Sequence, residues 1–292
     1  MAHVTAGCGE AGTRWIENLE STVQRLEHHW DLRVEKPFAA GEFNFVAPAT
    51  TTDGGPVVVK IAPPWDPVEI FGEAEYLRYR EGVGCVRLLG VEPHERAILM
   101  ERIFPGENFA AHFDTRKQDA IGPAIGALRA VLRPEPNGPH SITSLDKWFD
   151  GLRRYKTTDF PQHYAAKALK IYDRLSGGQG EGFYLHGDFH HGNLVTSNRS
   201  EFVVIDPKGI TGHVGYEIAV FLNNHHWWQE TDPNIDAILI DAVRRFSEAF
   251  GIDESELRQW AYAQMVLGSW WNYVDMPELY DGGVVKADIW RV

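Results

Sequence analysis

The feature that most limits what this chain can fold into is a change of apolar period near residue 101. Before it, short β-branched runs are punctuated by turn residues, the mark of strands. After it, apolar positions recur at helical spacing, with one extended interruption at 183–206. This predicts an α+β chain with a small β-rich part followed by a larger helical one. The chain has 292 residues, enough for two such parts.

In the first part, Trp15, Leu19, Val23, Leu26 and Trp30 share one helical face, predicting an amphipathic helix over 13–30. Residues 1–12 are small and polar and predict a loose arm. Strands are expected at 32–38, 42–46 and 56–61, with Gly41 opening one turn and Thr52-Asp53-Gly54-Gly55 forming another. A helix at 67–80 carries Ile70, Phe71, Ala74 and Leu77 on one face, and 86–91 and 97–101 read as a hairpin. Pro105-Gly106 breaks the chain, which suggests an N-terminal lobe at 1–100, a hinge at 101–106 and a C-terminal lobe at 107–292. Helices are predicted in the latter at 115–132, 144–156, 160–176, 217–229, 234–250 and 254–274.

The formal net charge of −13 argues against a nucleic-acid partner, since phosphate backbones recruit Lys and Arg. It suits a small cationic partner, drawn by the overall field. The two cysteines, Cys8 and Cys85, form neither a disulfide framework nor a CxxC site, so a reducing, cytoplasmic setting is expected. No basic segment followed by an apolar run marks a leader, and no run of about 18 apolar residues predicts a membrane span. A monomer or weak homodimer is expected.

The chemistry concentrates in His186-Gly187-Asp188-Phe189-His190-His191-Gly192-Asn193, followed by Ile205-Asp206-Pro207-Lys208-Gly209. Phosphoryl transfer from a nucleotide needs a carboxylate beside the attacking hydroxyl, oxygen ligands for Mg²⁺ and a cation on the remaining phosphates. Asp188 suits the first role. Asn193, on the same loop, and Asp206, ending the next strand, suit the second, because hard divalent cations prefer oxygen donors. The rival reading takes His186, Asp188, His190 and His191 as zinc ligands of a metallohydrolase. It leaves Asn193, Asp206 and Lys60 without a role.

The HxDxxxxN loop with a strand-ending Asp resembles the aminoglycoside phosphotransferase family, a branch of the protein-kinase-like fold. Gly187 stands where protein kinases carry Arg. The run Asp206-Pro207-Lys208-Gly209, followed by Gly215-Tyr216-Glu217-Ile218-Ala219, is similar to the streptomycin 6-phosphotransferase and hydroxyurea phosphotransferase branch. The resemblance spans about residues 30–290.

It implies a two-lobed protein-kinase-like fold, with a small antiparallel β-rich N-lobe and a larger α-helical C-lobe, and a kinase using ATP and Mg²⁺. The acceptor would be a hydroxyl of an aminoglycoside-type antibiotic, conferring resistance, or of another small polar alcohol or hydroxyurea-like compound. Lys60 falls where the family contacts the α- and β-phosphates, and Glu73 matches its partner, with Glu75 as the alternative. Met100, Glu101 and Ile103 fall where backbone groups meet the adenine edge. Two departures stand out. The phosphate-covering hairpin has Gly41, Glu42, Phe43 and Asn44 without a full glycine pattern, and Glu217 replaces the family's usual Asp as a brace of the catalytic region.

Other features stay open on the residues alone. His186 reads as a prop for the loop. Asn223-Asn224-His225-His226-Trp227-Trp228 is either a substrate-facing cluster or a packed helix end. Trp270, Trp271, Asp275 and Glu278 pose the same choice. Lys208 either holds a phosphate or pairs with a carboxylate.

Overall fold

The structure is a computed structural model that describes residues 2–39, 43–64, 69–137, 142–177, 182–275, 277, 280 and 282–292. It divides into two compact units. The first comprises Met1–Gly106 and Thr196–Lys208, and the second Glu107–Val195 and Gly209–Val292. The segment Thr196–Lys208 thus joins the first unit, where an unbroken C-terminal lobe over 107–292 would not have put it. Gly41 and Glu42 lie outside the described residues, as does Glu278; the side chain of Asp275 does too.

In the first unit, a five-stranded sheet has the order β1 (Leu32–Val34), β2 (Phe45–Thr51), β3 (Pro56–Ile61), β5 (Ala97–Glu101), β4 (Leu88–Glu92). All its pairings are antiparallel. The β2–β3 turn closes through the Thr51 N–H to the Gly55 carbonyl at 2.9 Å, where the Thr-Asp-Gly-Gly signal predicts it. Strand period sends Val57, Val59 and Ile61 to one face, against Leu26, Leu32 and Leu99. Trp15, Leu19 and Val23 of helix α1 (Ala2–His29) pack on this cluster, as their spacing predicts.

Helix α1 begins at Ala2 and replaces the expected arm. Gly9 leaves the helical region (φ 54°, ψ −132°), and a Cβ on Gly12 would lie 2.4 Å from the Val4 carbonyl oxygen. Val4 is buried. A run of Ala and Gly carries no amphipathic period, so nothing local announces that this turn packs. Helix α2 (Glu69–Arg80) buries Ile70, Glu73, Ala74, Tyr76, Leu77 and Arg80, whereas Phe71 is exposed.

The second unit contains α3 (Phe109–His112), α4 (Ile121–Val131), α5 (Leu145–Leu152), α6 (Gln162–Ser176), α7 (Val214–Trp228), α8 (Ile235–Phe250) and α9 (Glu254–Asp275). The expected 115–132 helix starts only at Ile121, after a 3₁₀ turn at Lys117–Asp119, and 144–156 ends as 3₁₀ from Arg153. A small sheet orders the strands Arg133–Pro134, Phe183–Leu185, Ile210–Gly212 and Thr143–Ser144. No helix among the described residues is long and apolar enough to cross a membrane.

Candidate active site

The first unit carries the cationic group. On β3, Lys60 alternates with Val59 and Ile61 and projects from the opposite face. Its Nζ donates to Glu73 Oε2 at 2.6 Å and to Asp206 Oδ1 at 2.5 Å. The Lys60 and Glu73 side chains are almost fully buried, while Asp206 is 40 % exposed. Burial disfavours the Lys60 charge, but Asp206 and Glu73 outweigh it and hold its pKa above the ordinary lysine value. Burial lifts Glu73 to about 7, with Lys60 pulling the other way. At 2.6 Å from an ammonium that both carboxylates keep charged, the ionised form of Glu73 is the one the contact favours. Glu75 is exposed, so the choice between the two falls to Glu73.

Asp206 takes φ +58°, a left-handed conformation that Asp tolerates better than most residues. Its segment is tied into the unit by the Val204 N–H to Gly84 O (3.0 Å) and the Val86 N–H to Val204 O (2.9 Å). Helix α2 approaches the same segment so closely that a Cβ on Gly72 would lie 2.9 Å from the Lys208 carbonyl oxygen. Lys208 itself pairs with Glu69 at 2.9 Å, the second of its two possible roles.

Met100 is buried in β5, and Ile103 is half-buried beyond it. Glu101 accepts from the Arg87 N–H at 2.8 Å and from Arg199 Nη2 at 2.6 Å, while its own N–H donates to Arg87 O at 3.0 Å. That N–H is therefore not a donor for an adenine edge, which narrows the expectation at this position to the carbonyl and the neighbouring residues. Arg199 also donates to Gly82 O at 2.6 Å, a clamp with no signal in the sequence.

The second unit carries the loop. Gly187 sits at φ +84°, which explains glycine before Asp188, since a side chain there is strained. The Gly187 N–H donates to both Glu217 oxygens at 3.0 Å, and the Phe189 N–H reaches Glu217 Oε1 at 3.3 Å. Glu217 thus grips the backbone on both sides of Asp188, the bracing role expected of it. Its burial raises its pKa to about 7, against the pull of the Gly187 and Phe189 N–H groups.

Asp188 is 34 % exposed at its side chain. Its N–H donates to His186 Nδ1 at 3.2 Å, so His186 props the loop. Asn193 Nδ2 donates to Asp188 O at 3.0 Å and Oδ2 at 3.3 Å, which turns the amide oxygen of Asn193 away from this contact. An amide oxygen and a carboxylate are donors that fit Mg²⁺.

The histidines do not form a zinc site. His190 Nδ1 accepts from the Gly192 N–H at 2.9 Å, and His191 Nε2 faces His225 Nδ1 at 3.1 Å. Among the described residues, no three His, Cys, Asp or Glu are grouped to hold a metal. In the 223–228 run, Asn223, His225 and His226 are buried, and Asn223 accepts from Trp290 Nε1 at 2.8 Å, so much of this helix end is packed. Trp270 is buried against Phe160, and Trp271 meets Trp148 edge-on at 5.1 Å.

Residues 29–275 match the pattern of the aminoglycoside/hydroxyurea antibiotic resistance kinases. A streptomycin 6-kinase of Streptomyces glaucescens is 27 % identical, over 95 % of this chain and 90 % of its own. A hydroxyurea phosphotransferase of Kitasatospora aureofaciens is 26 % identical, over 91 % of this chain and 77 % of its own. Among solved structures, an amicoumacin kinase in complex with AMP-PNP and Ca²⁺ superposes with a TM-score of 0.60 at 14 % identity, over 94 % of each chain, so the fold is kinase-like. With the match running through both the Lys60 strand and the Asp188 loop, the chain belongs to the aminoglycoside/hydroxyurea antibiotic resistance kinase family, and it is a phosphotransferase acting on hydroxyl groups.

Proposed function

We propose that this kinase transfers the γ-phosphate of ATP to a hydroxyl of a streptomycin-like aminocyclitol antibiotic, conferring resistance to it. The observation that carries the phosphotransfer chemistry is Lys60, a buried ammonium gripped by Glu73 and Asp206. An ammonium has three N–H donors, and two are engaged here, leaving the third for a nucleotide phosphate. The acceptor class is supported by similarity to streptomycin 6-kinases along nearly the whole chain and by the −13 charge, which suits a polycation. The 26 % identical hydroxyurea phosphotransferase favours a second reading, in which the acceptor is a small hydroxyurea-like compound.

In the proposed mechanism Asp188 accepts a hydrogen bond from the acceptor hydroxyl and aims its oxygen at the γ-phosphorus. The new P–O bond forms as the bond to the bridging oxygen breaks, ADP departs, and the hydroxyl proton passes late to Asp188, because the transition state is loose. Glu217 keeps the Asp188 backbone from drifting, and Lys60 orients the triphosphate. Mg²⁺ bound to oxygens of Asn193 and Asp206 would neutralise charge on the phosphate oxygens. Positioning and electrostatics supply most of the rate, and no phospho-enzyme is formed.

The test is ADP release with ATP and Mg²⁺ against streptomycin, other aminoglycosides, hydroxyurea and choline. Streptomycin is expected to stimulate release above all others and to yield a singly phosphorylated product by mass spectrometry. Stimulation by hydroxyurea alone would move the assignment to the second reading. Stimulation by choline alone would exclude both.

A further inference from the structure

The second unit contains a buried hydrogen-bond chain that the proposed reaction does not use directly. Gln229 Nε2 lies 2.8 Å from His225 Nε2, and His225 Nδ1 lies 3.1 Å from His191 Nε2. All three residues are buried: Gln229 is 3 % exposed, His225 0 % and His191 5 %. An amide nitrogen can only donate, so His225 Nε2 accepts and its proton resides on Nδ1. That N–H donates to His191 Nε2, which puts the His191 proton on its own Nδ1. The chain runs one way, and it works only with both rings neutral. Burial and mutual proximity push the His191 pKa down, in agreement with this direction.

The His191 ring is fixed as well as bonded. It stacks on Phe221 at 4.3 Å and 16°, and the edge of Phe109 meets it at 5.4 Å. His191 begins the 3₁₀ turn His191–Asn193, so its ring plane and Asn193 share one short rigid piece of backbone. A second tether holds the same turn: Asn108 Nδ2 donates to Gly192 O at 3.1 Å. The chain ends on His191 Nδ1, buried with no hydrogen-bond partner among the described residues. An unsatisfied buried donor costs about 1–3 kcal/mol, so stability alone is a poor reason for this arrangement where an apolar cluster would serve.

We propose that Gln229 and His225 are positioning residues for Asn193, acting through His191 to set the orientation in which the Asn193 amide oxygen meets a divalent cation. The inference rests on the reading of Asn193 as a metal ligand. It predicts that metal binding depends on side chains that touch neither metal nor substrate, as outer partners of ligands elsewhere do.

The experiment measures Mn²⁺ affinity by electron paramagnetic resonance in the presence of AMP-PNP, and thermal midpoint in parallel. It needs no acceptor. The variants are Asn193→Ala, His225→Phe, Gln229→Leu, the double variant His225→Phe/Gln229→Leu, and His225→Phe combined with Asn193→Ala. His225→Phe keeps an aromatic ring and removes both hydrogen bonds. Pairing it with Gln229→Leu removes the amide donor that His225→Phe would leave orphaned, which is expected to recover part of the lost thermal stability, His191 Nε2 remaining unpaired. If the chain positions Asn193, the double variant still binds Mn²⁺ about tenfold or more weaker than the native chain, and combining His225→Phe with Asn193→Ala adds little to Asn193→Ala alone. Native Mn²⁺ affinity in the double variant, with Asn193→Ala impaired, overturns the inference and leaves a packing role. Native affinity in Asn193→Ala itself overturns the underlying assignment of the ligand instead.

Discussion

Single side chains carry most of the chemistry. Asp188 is partly exposed on a loop whose backbone Glu217 grips, so replacing its side chain leaves that grip and the bond from Asn193 to the Asp188 carbonyl in place. Asp188→Ala is expected to lower kcat by about 10²–10⁴-fold while a nucleotide titration followed by tryptophan fluorescence stays close to native. Glu217 makes a pH-dependent contribution whose sign follows from its burial. Its folded pKa of about 7 lies above the ordinary 4.5, so the folded state retains a proton that the unfolded chain gives up. The resulting stabilisation is full below pH 4.5 and lost as pH rises through about 7. Glu217→Gln mimics the protonated form at every pH. Between pH 5 and pH 8, the unfolding free energy of native protein relative to Glu217→Gln is expected to fall by roughly 2–3 kcal/mol, measured by urea denaturation. A pH-independent difference between the two proteins would exclude burial of an ionisable Glu217 as its origin.

At the scale of elements, the decisive contact is the close approach of α2 to the segment bearing Asp206. Gly72 permits it, since a Cβ there would come within 2.9 Å of a backbone oxygen that cannot swing aside. Glu73 follows immediately in the helix, so any displacement at position 72 is felt at the Lys60–Glu73–Asp206 contact. Gly72→Ala, which raises helix propensity by about 0.5–1 kcal/mol, is nevertheless expected to raise the KM for ATP several-fold. A kinetic comparison with Gly126→Ala, where a Cβ meets nothing within 4 Å, separates the close contact from propensity. Equal behaviour of the two variants would show that α2 has room to move. The β2–β3 turn and the α1 face follow local rules, but the first turn of α1 does not: Val4 is buried, and the helix kinks at Gly9, with no periodicity to announce either.

For the whole molecule, charge and long-range pairing are what count. A net charge of −13 is expected to steer a polycationic acceptor, so kcat/KM for streptomycin should fall as NaCl rises from low ionic strength to about 0.15 M, where the Debye length shortens to about 8 Å. A neutral acceptor such as hydroxyurea should show little change in the same assay. The segregation of strands before helices, the β-turn at Thr52–Gly55 and the oxygen-bearing residues of the Asp188 loop were legible in the chain alone, because apolar period and turn chemistry depend on near neighbours. The family resemblance put Glu73 rather than Glu75 opposite Lys60, as the structure has it, but local pattern could not: the two lie two positions apart on one helix, and packing buries one and exposes the other. Nor could local pattern join Lys60 to Asp206 across 146 positions, or His191 to His225 across 34. Those pairings exist because folding takes the groups out of water, where leaving them unpaired is costly, and only the tertiary structure brings such distant partners together.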